Sequence, residues 1–344
     1  MLFDLYQEGS VAETMRDKFE REINYLRVSI TDRCNLHCTY CRPKEGISLQ
    51  GHDDILRYEE IIRIVSVAVK MGLIKVRITG GEPLVRRGFI DFIAALKKIS
   101  GLQDISLTTN GILLEEFAQN IFNAGISRIN VSLDSLNKDK YFRITNGGNL
   151  EAVLRGINKA EKIGFSPIKI NTVAIKGFND DEVLDFAELA FTKPFQVRFI
   201  ELMPMGQAKS DYSKDYLPAA QLMQKIATRY KLEKVAGKKN QAAGPATIFK
   251  IKGGRGEIGF INPVSGHFCA TCNRLRLTAD GKLLSCLLKE DEFDLKKALR
   301  ENCSDEELAR HVREAILSKP KQHDLACTQE HLKKCHRNMS TIGG

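Results

Sequence analysis

The chain has 344 residues, 43% of them hydrophobic and 28% charged, which suits a globular protein with its own core and excludes a disordered or low-complexity chain. Its 52 Lys and Arg against 43 Asp and Glu leave a formal charge of +9, which favours an anionic partner. Nine cysteines behind a start that carries Asp4 and Glu8, with no basic segment before an apolar run, argue against an exported disulfide scaffold.

Charge alone does not choose among nucleic acid, a membrane surface and a nucleotide. A membrane span is not expected, because the most apolar helical stretch, 61–74, is short and interrupted by Arg63 and Lys70. A cytoplasmic protein is expected.

Residues 1–24 read as a mixed-charge extension with no evident chemistry. From there a core, 25–235, alternates β-branched runs with amphipathic stretches. Strands are expected at Leu26–Ile30, Lys75–Thr79, Ile105–Thr108, Arg128–Leu133, Lys169–Ala174 and Val197–Glu201. Helices are expected at Tyr58–Met71, Gly88–Ile99, Leu114–Asn123, Leu150–Ile163 and Asp181–Phe191. Repeated βα units imply an α/β fold with a parallel sheet, either a curled, incomplete barrel or an open doubly wound sheet. Both place the active site at the C-terminal strand ends, where Cys34, Gly80-Gly81-Glu82-Pro83, Asn110-Gly111 and Met203 fall.

Residues 236–344 form a second region. The stretch 206–216 is polar and reads as loop, 237–245 as a flexible connection, and 289–319 as a charged helical surface. A basic, polar tail then ends in Gly343-Gly344.

Cys34, Cys38 and Cys41 form C-x3-C-x2-C after the first strand. Three thiolates suit a [4Fe–4S] cube with one iron left open to a small molecule. A zinc site or incidental thiols is the competing reading, although no close fourth ligand for zinc accompanies them. Cys269, Cys272 and Cys286 form a second triad, C-x2-C-x13-C, which taken alone suits zinc about as well as iron and sulfide. If the run between them is a strand, alternation puts Arg274 and Arg276 on one face, where two guanidiniums could grip phosphate or simply meet solvent.

The run Thr31-Asp32-Arg33-Cys34-Asn35-Leu36-His37-Cys38-Thr39-Tyr40-Cys41 resembles the signature loop of the radical S-adenosylmethionine (SAM) superfamily, and Thr79-Gly80-Gly81-Glu82-Pro83 resembles its glycine-rich element. Both triads with the Arg274-Leu275-Arg276 run and the terminal glycines resemble the GTP 3′,8-cyclase family of molybdenum cofactor biosynthesis, from about Tyr25 onward. The resemblance implies a partial (β/α)6 barrel of the radical SAM type, with a C-terminal extension carrying a second Fe–S cluster. It implies two [4Fe–4S] clusters, one on each triad, with S-adenosylmethionine as cofactor. Tyr40, Gly81, Ser132 and Met203 would contact S-adenosylmethionine. Arg27, Arg77, Thr108, Lys169, Arg274, Leu275 and Arg276 would contact GTP, with Thr109 an alternative to Thr108, and Lys75 and Arg198 as further phosphate contacts. Arg274, Arg276, Gly343 and Gly344 would serve catalysis, the tail threading into the active site.

The implied reaction is a lyase-type radical cyclisation. Hydrogen leaves C3′ of GTP, C3′ bonds to C8, and an electron and a proton complete 3′,8-cyclo-7,8-dihydro-GTP. The implied partners are a reductant such as flavodoxin or ferredoxin and a downstream cyclic pyranopterin monophosphate synthase, with the chain a homodimer or monomer. Arg27, Arg77 and Lys169 also stand out without the family, because each is a cation in an otherwise apolar strand and buried cations need anionic partners. Cys303, Cys327 and Cys335 match no ligand position, and a tail metal site of Cys327, His331, Cys335 and His336 is a weak alternative. The rival readings are a peptide-modifying radical SAM enzyme and a basic zinc-containing RNA-binding module. Few aromatics and the lack of tryptophan weaken the second, so neither nucleic acid nor membrane is expected as a partner.

Overall fold

A computed structural model describes residues 15–42, 49–205, 212–235, 244–323 and 342–343. Six strands, β1 (Tyr25–Ser29), β2 (Lys75–Thr79), β3 (Asp104–Thr109), β4 (Ile129–Ser132), β5 (Ile168–Ala174) and β6 (Phe195–Glu201), lie side by side in chain order and pair in parallel. Between them run α1 (Tyr58–Lys70), α2 (Phe89–Lys97), α3 (Leu114–Asn123), α4 (Lys138–Thr145), α5 (Leu150–Ile163) and α6 (Val183–Thr192). A doubly wound sheet reverses its strand order at a switch point, and this one does not. Sequential order with crossovers of one hand puts all helices on one face and curls the sheet into an incomplete barrel.

Strand β2 shows why the chain folds this way. All five of its residues are buried. Val76 and Ile78 are fully buried in the hydrophobic core, and Lys75, Arg77 and Thr79 occupy the alternate positions. The helices return that apolar face: Ile61, Ile64, Val65 and Ala68 of α1, and Val153, Ile157 and Ala160 of α5, all join the same core. Asn149 caps α5 by accepting from the Ala152 N–H.

The C-terminal part extends both edges of this sheet. β10 (Arg274–Leu277) pairs in parallel with β1, and β9 (Glu257–Ile261) pairs in parallel with β6. Antiparallel strands finish each side: β11 (Lys282–Leu284) and β12 (Phe293–Asp294) beyond β10, and β8 (Thr247–Ile251) and β7 (Leu232–Lys234) beyond β9. The two regions expected from composition therefore share one twelve-stranded sheet.

Two features depart from the sequence reading, and a third refines it. Helix α4 was not expected; its only buried anchors are Tyr141, Ile144 and Thr145, too few to give a period, and Asn137 starts it by capping two N–H groups. A short helix, α7 (Tyr212–Asp215), stands where loop was expected, and it is followed by α8 (Ala219–Ala227). The charged surface near 289–319 resolves into α9 (Leu295–Arg300) and α10 (Asp305–Leu317), and α10 opens with a reciprocal Ser304–Glu307 cap.

Candidate active site

The strand register stacks cations inside the barrel. Arg276, Arg27 and Arg77 stand abreast on β10, β1 and β2, with Arg274, Tyr25 and Lys75 abreast one layer below. Arg198 and Lys169 approach from β6 and β5. Asp104 pairs with Lys75 at 3.3 Å and with Arg128, and Gln196 accepts from Arg198 Nε at 2.7 Å. Arg77 and Lys169 have no ion pair among the described residues. Arg77 Nε, Thr108 Oγ1 and Asn171 Oδ1 are buried without a hydrogen-bond partner there.

The field of this cluster shows in the groups it surrounds. Burial, then Arg198 and Arg77, push Lys169 down to about 6. Burial raises the Tyr25 hydroxyl, yet Arg77, Arg27 and Lys75 outweigh it and leave the group below its ordinary value. The Lys75 ammonium lies 4.7 Å from the Tyr25 ring centroid. A rank of cations of this kind suits a polyanion.

The first triad lies at the C-terminal end of β1. Cys34 Sγ accepts from the Leu36 N–H at 3.4 Å and from Asn110 Nδ2 at 3.7 Å. The Cys38 carbonyl accepts from the Cys41 N–H at 2.9 Å, closing the turn that carries both residues. Burial raises all three thiols, Cys38 well above the ordinary value and Cys41 to about 12, with repulsion from Cys34 adding to both. Such thiols ionise only when a cation shares the charge, as cluster iron does. Among the described residues no three His, Cys, Asp or Glu side chains cluster tightly enough for a single metal ion. A cube does not require that, since its ligands sit on different irons.

The glycine-rich turn packs directly against this loop. A Cβ on Gly81 would lie 2.2 Å from the Arg33 carbonyl oxygen, so no side chain fits, and the Gly81 N–H donates to Thr31 O at 2.6 Å. Next to it Glu82 is fully buried and accepts from Thr109 Oγ1, the Asn110 N–H and the Leu84 N–H. Burial lifts its carboxyl from 4.5 to about 7. Between those values the folded protein holds a proton that the unfolded chain has released, so stability falls as pH rises and levels off above about 7. Glu82→Gln should flatten that part of the curve, removing a change on the order of 3 kcal/mol. Urea melts of the metal-free protein across this range check it, and an unaltered slope in the variant would refute the assignment.

The second triad sits at the opposite mouth. Cys269 opens a 3-10 turn, Cys272 ends it two residues before β10 begins, and Cys286 lies two residues past β11, the antiparallel neighbour of β10. The hairpin register, continued two residues from the Arg276–Leu284 pair, brings Cys286 level with Arg274 and so within two residues of Cys272. Burial pushes the Cys272 thiol up, but Arg274 and Lys319 override it and bring it to about 6. One triad is therefore set among acids and apolar groups, the other among cations.

Between the two mouths runs one cavity. Tyr40, Ser132 and Met203 line its upper part, Arg27, Arg77, Thr108 and Arg198 its wall, and Cys269, Cys272, Arg274, Arg276 and Cys286 its lower part. A smaller cavity lined by Lys75, Arg77, Arg128 and Lys169 adjoins it, with Arg77 in both. The tail reaches this space. Ile342 packs with Met205 and Leu284, and the Gly343 carbonyl accepts from Arg276 Nη1 at 2.7 Å.

Most of the expected site residues thus converge, with exceptions. Leu275 points away and is buried in the hydrophobic core, so its side chain cannot meet GTP. Thr108 faces the cavity, whereas the Thr109 hydroxyl is spent on Glu82, which separates the two alternatives. Cys34, Cys38, Cys41 and Gly81 do not line the main cavity, which their loop reaches through Tyr40. Gly344, Cys327, Cys335, His331 and His336 fall outside the described residues. Cys303 is half-buried against the core, where its carbonyl accepts from Arg63 of α1 at 2.6 Å. The sequence reading missed Asp134, which accepts from the Tyr40 hydroxyl at 2.7 Å and is lifted by burial to about 6. It also missed Tyr25, Asn171 and Lys319. Inward alternation along β1 and β5 would have found Tyr25 and Asn171; only the fold reveals Lys319.

Comparison with known proteins agrees with this geometry. Residues 28–190 match the radical SAM superfamily, and residues 195–325 match the family described as Molybdenum Cofactor Synthesis C. GTP 3′,8-cyclases of Alkaliphilus oremlandii and Moorella thermoacetica are each 48% identical over 330 residues, covering 96% of this chain and 100% of theirs. The chain belongs to the GTP 3′,8-cyclase family. The enzyme of that name from Thermodesulfovibrio yellowstonii is 46% identical over 332 residues, with 96% of this chain covered and 100% of its own. In fold, this family member resembles Streptococcus suis SuiB crystallised with S-adenosylmethionine, at 15% identity and a TM-score of 0.55 over 90% of this chain and 71% of that one. No helix among the described residues is long and apolar enough to cross a membrane.

Proposed function

We propose that this GTP 3′,8-cyclase, a lyase by its reaction, holds GTP in the cavity between two [4Fe–4S] clusters, one on Cys34, Cys38 and Cys41 and one on Cys269, Cys272 and Cys286. The observation that carries the reading is the rank of Arg276, Arg27 and Arg77 across three adjacent strands, facing a cavity that ends in cysteines. The first cluster and S-adenosylmethionine, when bound, supply the hydrogen-abstracting radical.

The chain's own residues supply position. Gly81, by lacking a side chain, lets the glycine-rich turn pack directly on the cluster loop and so sets the turn that would meet the methionyl end, and Ser132 and Met203 border the rest of the cofactor. Asp134 fixes the Tyr40 ring through its hydroxyl, so the aromatic face is set before the cofactor arrives. Arg77, Lys169 and Arg198 grip the triphosphate, with Arg27, Thr108 and Lys75 beside them. Arg274 and Arg276 steady the nucleotide at its guanine end. Held at both ends, the ribose has C3′ toward the upper mouth and the base within closing distance of it, and Arg276 and Gly343 sit where the ring closes. The substrate needs a reductant such as flavodoxin or ferredoxin, and the product passes to a cyclic pyranopterin monophosphate synthase in the cytoplasm.

The reaction conserves atoms. GTP loses one hydrogen atom at C3′ and gains one electron and one proton, so the product is an isomer of GTP. Under argon with dithionite and GTP deuterated at C3′, the label should appear in 5′-deoxyadenosine while the nucleotide loses it. Unlabelled 5′-deoxyadenosine beside fully deuterated GTP would overturn the reading.

A further inference from the structure

Lys319 follows α10 and is 3% exposed, a rare place for an ammonium. Its Nζ donates to the carbonyl of Arg274 at 2.8 Å and to that of Ser285 at 2.6 Å. Arg274 lies two residues past Cys272, and Ser285 immediately precedes Cys286. One side chain therefore ties together the segments that carry the second and third cysteines of the lower triad.

The first cysteine of that triad is tied by the next residues along. Arg21 is buried and locked on Asp17 at 2.5 Å. Its Nη1 donates to the Cys269 carbonyl at 2.8 Å and to Lys321 O at 3.2 Å, and its Nη2 donates to Pro320 O at 2.7 Å. Residues 319–321 thus bridge all three ligand segments, with Arg21 as the anchor. A clasp of purely structural use could be built from neutral donors at less desolvation cost. Lys319 instead brings a basic amine to the wall shared with Cys272 and Cys286: burial disfavours its charged form, and the two thiols favour it.

We propose that Lys319, anchored by Arg21, is a positioning residue for the lower cluster: it fixes the spacing of the three ligand segments and sets a cation against their thiolates. This rests on the reading that the lower triad holds a cluster. The spacing makes the site easier to load, and the charge makes the cluster easier to reduce.

The test uses the full chain reconstituted with iron and sulfide under argon, as wild type, Lys319→Met, Lys319→Arg and Arg21→Gln. Iron and sulfide counts, the rate of iron loss to a chelator, and a redox titration followed by electron paramagnetic resonance are the readouts. Lys319→Met should lose iron from the lower site about 10-fold to 100-fold faster than wild type and shift that cluster to a more negative potential, with the upper cluster's signal unchanged. Lys319→Arg should keep the wild-type potential. Arg21→Gln, which spares the ammonium, should speed iron loss but leave the potential alone, so the proposal stays testable if Lys319→Met fails to fold. Wild-type retention and potential in Lys319→Met would overturn it. A wild-type chain that loads about four irons rather than about eight would instead remove the lower cluster itself, and the proposal with it.

Discussion

Cys38→Ala should remove both activities at once: no 5′-deoxyadenosine should form above the enzyme-free background, and no cyclised nucleotide should follow. The residue sits at the base of the turn that also carries Cys41, and its thiol is buried beside two others. Two thiolates cannot hold a cube that needs three protein ligands, so iron after reconstitution should fall from about eight to about four per chain. The lower triad is built from separate elements and should keep its iron. A Cys38→Ala enzyme that still cleaves S-adenosylmethionine would refute the assignment of the upper triad.

Gly343→Val should abolish cyclisation, by at least about 10²-fold, while cleavage of S-adenosylmethionine continues uncoupled. Gly343 has φ of +72°, a conformation that branched side chains avoid, and an added Cβ would meet Thr79 Cγ2 at 2.5 Å and Ser29 Cβ at 3.2 Å. The tail must then withdraw, and its carbonyl leaves Arg276. The upper triad is untouched, so radical generation survives, but the guanidinium beside the nucleotide loses its anchor. Deleting both terminal glycines should give the same split. Assay of 5′-deoxyadenosine and cyclised nucleotide in one reaction checks both, and full cyclisation in either variant would sink the role given to the tail.

Much of this was legible in the letters because the chemistry is local. Three thiols within one loop, a glycine pair after a strand, and a charged residue inside an apolar strand are each visible over a few positions. The core strands were legible for the same reason: Val76 and Ile78 alternate with Lys75 and Arg77 in a run too short for a helix. The outer strands were not. β7 has one half-buried residue followed by two exposed ones, and β8 has a single buried residue, so neither offers a period strong enough to read. Leu275 was carried along with its arginine neighbours because a three-residue motif hides alternation; the strand turns it into the core. Lys319 and Arg21 were illegible because their meaning lies in contacts between residues far apart in the chain, 45 positions for Lys319 with Arg274 and 248 for Arg21 with Cys269.

The pairing of β10 with β1 has a consequence for synthesis. The first strand to leave the ribosome must wait for almost the last before its outer edge is satisfied, and β6 likewise waits for β9. Until then the nascent βα units present two bare parallel edges, a template for other chains in the cell. A gene cut after β6 should therefore yield insoluble protein rather than a small working enzyme, and chaperone demand should concentrate on chains that have been stalled late.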